Sequence, residues 1–332
     1  MPAIQRRSFV VLFTVLLSAS AMQGHRLSDW SEPVNLGEQV NSPAGDFFPV
    51  ISKDGLSLYF TSSRAHGEPS RIDWDIYVCT RGSVSEPWGT AQALGPNINT
   101  AFDEGAPAFS PDGHWMFFSS TRDGGEGGND IYVSRRHDKR DDFGWAPAVN
   151  IGTGVNTDFN EASPAIVEDK ATGAMLLYFD SNRPGGPGPQ TDDAAHNGND
   201  IYVSARGMDG TFGPPVAVEE LNTGFQERQP AIRRDGLEIF FASNRTGGLG
   251  LLDLWVSTRE TTSDPWNEPV NLGSAVNTAL TDAGPALSFD GTTLFFQATR
   301  PGGIGAFDVL ATTRTKVTGG ILDEPARRDG DL

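Results

Sequence analysis

Beyond residue 21 the chain alternates short apolar stretches with polar turns. No 3.6-residue period is sustained over a useful length. The apolar stretches are aromatic-rich: Leu58-Tyr59-Phe60, Met116-Phe117-Phe118, Leu177-Tyr178-Phe179, Ile239-Phe240-Phe241 and Leu294-Phe295-Phe296. Four of them follow an aspartate-glycine pair, at Asp54-Gly55, Asp112-Gly113, Asp235-Gly236 and Asp290-Gly291. Between apolar runs that pair is a hairpin signal. The third stretch follows a longer turn from Asp169 to Gly173. Each stretch ends in a step to arginine, at Arg64, Arg122, Arg183, Arg245 and Arg300, then a glycine-rich loop, then a strand opening with aspartate, as in Asp130-Ile131-Tyr132. Prolines 49, 107, 164, 230 and 285 keep the same place in every unit, at intervals of 55 to 66 residues. A period of that length belongs to propeller blades or solenoid units.

Each unit supplies three strands, and the segments between units supply a fourth, such as Trp266-Asn267-Glu268-Pro269-Val270-Asn271-Leu272. A strand of this linking type precedes the first unit (Trp30 to Leu36), and none follows the fifth. The expected fold is therefore all-β: a five-bladed β-propeller with four antiparallel strands per blade. Its ring would be closed by the N-terminal strand pairing with the last blade, which removes the exposed edge. The expected organisation is a signal peptide over 1–21, a linker over 22–29, the propeller over 30–314 and a flexible tail over 315–332.

The units SPDGHWMFFSSTRDGGEGGNDIYVSRR and RRDGLEIFFASNRTGGLGLLDLWVSTR resemble the TolB-type, WD-repeat-like propeller repeat. The resemblance spans about residues 30–314. It implies blade architecture and little about function, because such repeats occur in periplasmic binding proteins and beside peptidase domains. The second domains of those relatives have no counterpart here, so their activities do not carry across.

Charge and the N-terminus narrow the setting. The 332 residues hold 25 Lys+Arg against 43 Asp+Glu, a formal charge of −18. Such a surface repels phosphate backbones and anionic membranes, so neither nucleic acid nor a membrane is an expected partner. Arg6 and Arg7, an apolar run from Phe9 to Leu17 and Ala19-Ser20-Ala21 describe a secretory leader cut after Ala21. Gln5 to Val10 also partly resembles a twin-arginine signal. The expectation is a periplasmic or extracellular monomer. The lone Cys79, inside a strand, cannot form an internal disulfide and reads as an inert buried thiol.

Strand direction gathers the repeated polar residues on one face. There, Asn41, Asn99, Asn156, Asn222 and Asn277 close the linking strands. Five residues on stand Asp46, Glu104, Glu161, Glu227 and Asp282. If the first strand is innermost, these carboxylates form a ring at the channel mouth and are the candidate ligand-binding set. Arg64, Arg122, Arg183, Arg245 and Arg300 match them in number. With the third-strand Asp75, Asp130, Asp200, Asp253 and Asp308, they make a candidate structural ion-pair ring. A set repeated in every blade reads first as cement between strands, and second as a seat for calcium or a cationic group. Asymmetry points to the long third-unit loop, where Asp192, Asp193 and His196 are candidate ligands. Catalytic motifs for nucleophilic or metal hydrolysis are missing. The expected function is a non-catalytic binding or scaffold module that engages a protein or cell-envelope glycan through its acidic, loop-rich face, with no cofactor. The alternatives are a carbohydrate-active hydrolase or lyase using the channel-mouth carboxylates, and a multivalent lectin.

Overall fold

A computed structural model describes residues 26–65, 73–187 and 198–317. The expected leader at 1–21, the loop residues Asp192, Asp193 and His196, and the residues beyond 317 lie outside them. Two units are distinguished, Asp29–Thr315 and the terminal segments on either side. In the second, the linker and tail pair as a two-stranded ribbon, with Arg26 opposite Val317 and Leu27 opposite Lys316. The first unit is the propeller.

Five four-stranded antiparallel sheets make its blades. Blade 1 holds Asp46–Ile51, Ser57–Ser62, Asp75–Thr80 and Gln92–Ala93. Blade 2 holds Glu104–Phe109, Trp115–Ser120, Asp130–Arg135 and Val149–Asn150. Blade 3 holds Glu161–Glu168, Met175–Ser181, Asp200–Ala205 and Val216–Ala217, and blade 4 Glu227–Ile232, Glu238–Ser243, Asp253–Thr258 and Val270–Asn271. Blade 5 has Asp282–Leu287, Thr293–Ala298 and Asp308–Thr313, and takes its fourth strand, Val34–Asn35, from the other end of the chain. The expected closure is therefore present, with Val34 opposite Ala311 and Asn35 opposite Leu310.

The aromatic second strands account for the core. Five apolar clusters form, one at each junction between neighbouring blades. At the first junction Tyr59, Ile76 and Val78 of blade 1 meet Met116, Phe118 and Tyr132 of blade 2. Burial on both faces is why these strands read as continuous apolar runs rather than alternating ones.

The first strand of each blade is innermost, and each breaks register once. The bulged residue sits directly before the repeated proline with its backbone in the left-handed region: Phe48 (φ 47°), Ala106 (50°), Ser163 (51°), Gln229 (57°) and Gly284 (60°). Proline has no N–H to leave unpaired at a bulge, which explains its recurrence there. The bulged residue's own N–H reaches the neighbouring blade. Ala106 N donates to Thr61 Oγ1 at 3.0 Å, Ser163 N to Ser119 Oγ at 3.0 Å and Gln229 N to Asp180 Oδ1 at 3.0 Å. Phe48 N donates to Gln297 Oε1 at 2.8 Å. Blade 4 has Ala242 at the acceptor position, and Gln229 Oε1 takes its place, receiving Gly284 N at 2.7 Å.

Candidate functional site

The repeated carboxylates come first, because their local chemistry decides what is left free. Asp46, Glu104, Glu161, Glu227 and Asp282 are all wholly buried. Each accepts the N–H and the hydroxyl of a Ser or Thr four residues earlier, as Thr157 does to Glu161, both at 2.7 Å. Each is also paired with its arginine: Arg64–Asp46 at 2.6 Å, Arg122–Glu104 at 3.2 Å, Arg183–Glu161 at 2.9 Å, Arg245–Glu227 at 3.0 Å and Arg300–Asp282 at 2.7 Å. The same guanidinium donates to a backbone carbonyl at the end of the linking segment, as Arg183 does to Val155 O at 2.6 Å. It also lies over aromatic rings, with Arg183 Cζ 5.2 Å from the Phe179 centroid and 5.1 Å from that of Tyr202. Burial pushes the carboxyls of Glu104 and Asp282 above the usual range, while their Thr partners and arginines pull them back.

The third-strand aspartates behave differently from the expectation that they share the arginine. No ring arginine has one of them within 4 Å. In blades 2, 4 and 5 they hold the glycine-rich loop instead. Asp308 accepts from Ile304 N at 2.8 Å, Gly305 N at 3.0 Å and Asn35 Nδ2 at 2.9 Å, and Asp253 accepts from Leu249 N and Gly250 N. Glycine is needed at 250 and 305, since a Cβ there would lie 2.1 Å from Leu280 O or 2.0 Å from Ala44 O. The five asparagines clamp the third strands: Asn222 Oδ1 receives Ile201 N at 2.7 Å, and Asn222 Nδ2 donates to Ile201 O at 2.9 Å. Among the described residues no group of three or more His, Cys, Asp or Glu could hold a metal ion.

Among the described residues a cavity opens at the opposite end of the inner strands from these carboxylates. It is an axial funnel of about 530 Å³, within the size range of small-ligand sites. Prolines 49, 107, 164, 230 and 285 form its floor and continue into a narrow waist of about 30 Å³. Phe109, Phe289, Ile166, Ile232 and Leu287 give it apolar walls. The polar groups differ from blade to blade. Lys53 belongs to blade 1, Asp112 and Arg136 to blade 2, Glu168 and Lys170 to blade 3, and Arg234 to blade 4.

Arg136 is already committed, at 2.9 Å from Asp142 Oδ1 and 3.1 Å from the Tyr59 hydroxyl. Asp112 Oδ1 accepts the Ser110 hydroxyl at 2.5 Å and His114 N at 3.1 Å. Burial opposes ionisation of Asp112, but these donors outweigh it and hold the carboxyl below the usual range. Comparison of the repeats did not mark the funnel. Its residues occupy aligned positions, yet Lys53, Pro111, Arg234 and Phe289 share no chemistry. The signal lay in the variable residue before each turn aspartate.

No protein-family model matches the sequence, and no curated protein matches it. Solved structures do. The catalytic domain of the GH62 α-L-arabinofuranosidase of Coprinopsis cinerea matches with a TM-score of 0.57 at 14% identity, covering 86% of this chain and 97% of that one. The GH43_1 enzyme from Xanthomonas citri, complexed with xylotriose, matches at 0.52 and 16%, covering 84% and 88%. TolB from Acinetobacter baumannii reaches 0.44 at 15%, covering 81% and 55%.

At such identities the likeness establishes the fold, a five-bladed β-propeller. It also corrects the expectation of a scaffold without chemistry. That reading rested on the polar set repeated in every blade and on the missing catalytic motifs, whereas the structures sharing this fold over nearly their full length are mostly glycoside hydrolases.

Proposed function

We propose that the protein is a carbohydrate-active hydrolase whose glycan sits in the axial funnel. The observation that carries this reading is the funnel itself, which combines apolar and aromatic walls with two carboxylates on adjacent blades, Asp112 and Glu168. Hydrolysis of a glycosidic bond needs two such groups in different protonation states. Asp112, held ionised by Ser110 and His114, suits the base or nucleophile; its Oδ2 makes no hydrogen bond among the described residues. Glu168, at the end of the first strand of blade 3, takes the remaining role. The five buried carboxylates are spent on arginine and hydroxyl partners, which argues against them as the reacting pair. A single asymmetric site also fits the variable funnel wall better than five equivalent lectin sites.

In this reading the leader at 1–21 exports the enzyme to meet extracellular or envelope glycans, and the TolB-type likeness is one of blade units only. The test incubates the mature protein with neutral and acidic polysaccharides and measures new reducing ends. Asp112→Asn and Glu168→Gln should each lower turnover by about 10²-fold or more, Glu168→Gln with an unchanged melting temperature. Turnover that survives both changes but disappears in Glu161→Gln would place the chemistry at the other face and overturn this reading.

A further inference from the structure

The funnel wall is electrically lopsided. Blades 2 and 3 contribute Asp112 and Glu168 together with Arg136 and Lys170, whereas blades 1 and 4 contribute cations only, Lys53 and Arg234. Phe289 of blade 5 stands between its neighbours, blades 4 and 1, and both lay a positive head on it. Lys53 Nζ is 4.5 Å from the ring centroid, and Arg234 Cζ is 4.3 Å from it. Neither side chain, nor that of Lys170, has a carboxylate within 4 Å among the described residues. Two like charges gathered on one ring repel, and low-dielectric walls sharpen that repulsion. In a chain of net charge −18 with four lysines, two of those lysines line this one cavity. The arrangement is one that a bound anion would relieve.

We infer that the glycan is anionic, carrying a carboxylate or sulfate group that docks on Lys53 and Arg234 while the scissile bond lies toward Asp112 and Glu168. The inference rests on the hydrolase reading and names its substrate class. Lys53 and Arg234 would position the substrate; neither takes part in bond cleavage.

Calorimetry with trigalacturonate, a sulfated galactotriose and neutral xylotriose tests it. One or both anionic probes should bind at least about tenfold tighter than xylotriose, and whichever binds identifies the anionic group. That advantage should shrink as salt is raised. It should disappear in Lys53→Met/Arg234→Met, whose changes are exposed and should leave the melting temperature intact. Equal affinity for charged and neutral probes, or an unchanged double variant, would overturn the inference. The hydrolase reading fails separately. Cleavage of neutral glycans with no anionic preference sinks only the substrate class, whereas tight anionic binding without cleavage of any glycan sinks the hydrolase and leaves the anion site standing.

Discussion

Ser62, Ser120, Ser181 and Ser243 each receive the Nε of the arginine two residues on, at 2.8 to 3.2 Å. Blade 5 has Ala298 at that position, and Arg300 Nε is buried without a partner. Ala298→Ser should therefore stabilise the protein by about 1 kcal/mol, read as a higher melting temperature, because it supplies an acceptor to an orphaned donor. The opposite change, Arg183→Ala, strands the buried Glu161 charge and should cost about 3 kcal/mol; a variant that melts like the parent would contradict the pairing.

Protonation pulls in two directions. Glu104 and Asp282, raised by burial, contribute stability that is present below the ordinary carboxylate pKa and lost as pH rises through their folded values. Asp112, lowered, contributes stability present above the ordinary value and lost as pH falls through its folded one. In the proposed enzyme, Ser110→Ala should let the Asp112 pKa climb, so the acidic limb of the kcat/KM profile should move to higher pH.

At the scale of the strand, the five bulges join blades by one backbone N–H each. Holding a non-glycine residue at positive φ costs on the order of 1 kcal/mol or more, so the inter-blade bond has to hold the conformation in place. Thr61→Val leaves Ala106 N–H buried and unpaired, and should destabilise by about 1–3 kcal/mol in urea titration. Gln229→Met should do the same to Gly284, since Gln229 stands in for the acceptor that Ala242 lacks.

The prolines of these strands were legible because they recur. The bulges were not: Phe48, Ala106, Ser163, Gln229 and Gly284 share no side-chain chemistry, and only Gly284 belongs to a type that favours the left-handed region. The fourth strands were legible through the linking segments, although pairing reduces each to two residues. The arginine–carboxylate set was legible as a set. Its burial was not, because strand direction says which end of a blade a residue occupies, not whether its side chain turns inward between blades.

For the whole molecule, the closing strand matters most. Beside it, Trp30 packs edge-on against Phe240 at 6.0 Å and lies under Arg314 at 4.3 Å, while Ser31 N donates to Thr313 O at 2.8 Å. A variant lacking residues 1–36 should leave the Asp308–Thr313 strand as an open edge. It should melt lower and self-associate with rising concentration; a monomer of unchanged melting temperature would show that the ring does not depend on this strand. Ring and closure followed from counting strands. The choice of face did not. Repeat comparison finds what the blades have in common, which here is what joins them, whereas the funnel is built from what they do not share.

Cys79 gives that closed ring a built-in reporter. It is the chain's only cysteine, it is wholly buried at the junction of blades 5 and 1, and burial pushes its pKa up to about 12. Thiolate is the form that reacts with alkylating reagents, so labelling of the native protein at neutral pH should be negligible while the blades stay together. The labelling rate then becomes a clock for the seam at which the two ends of the propeller meet: each modified molecule records one opening of the ring.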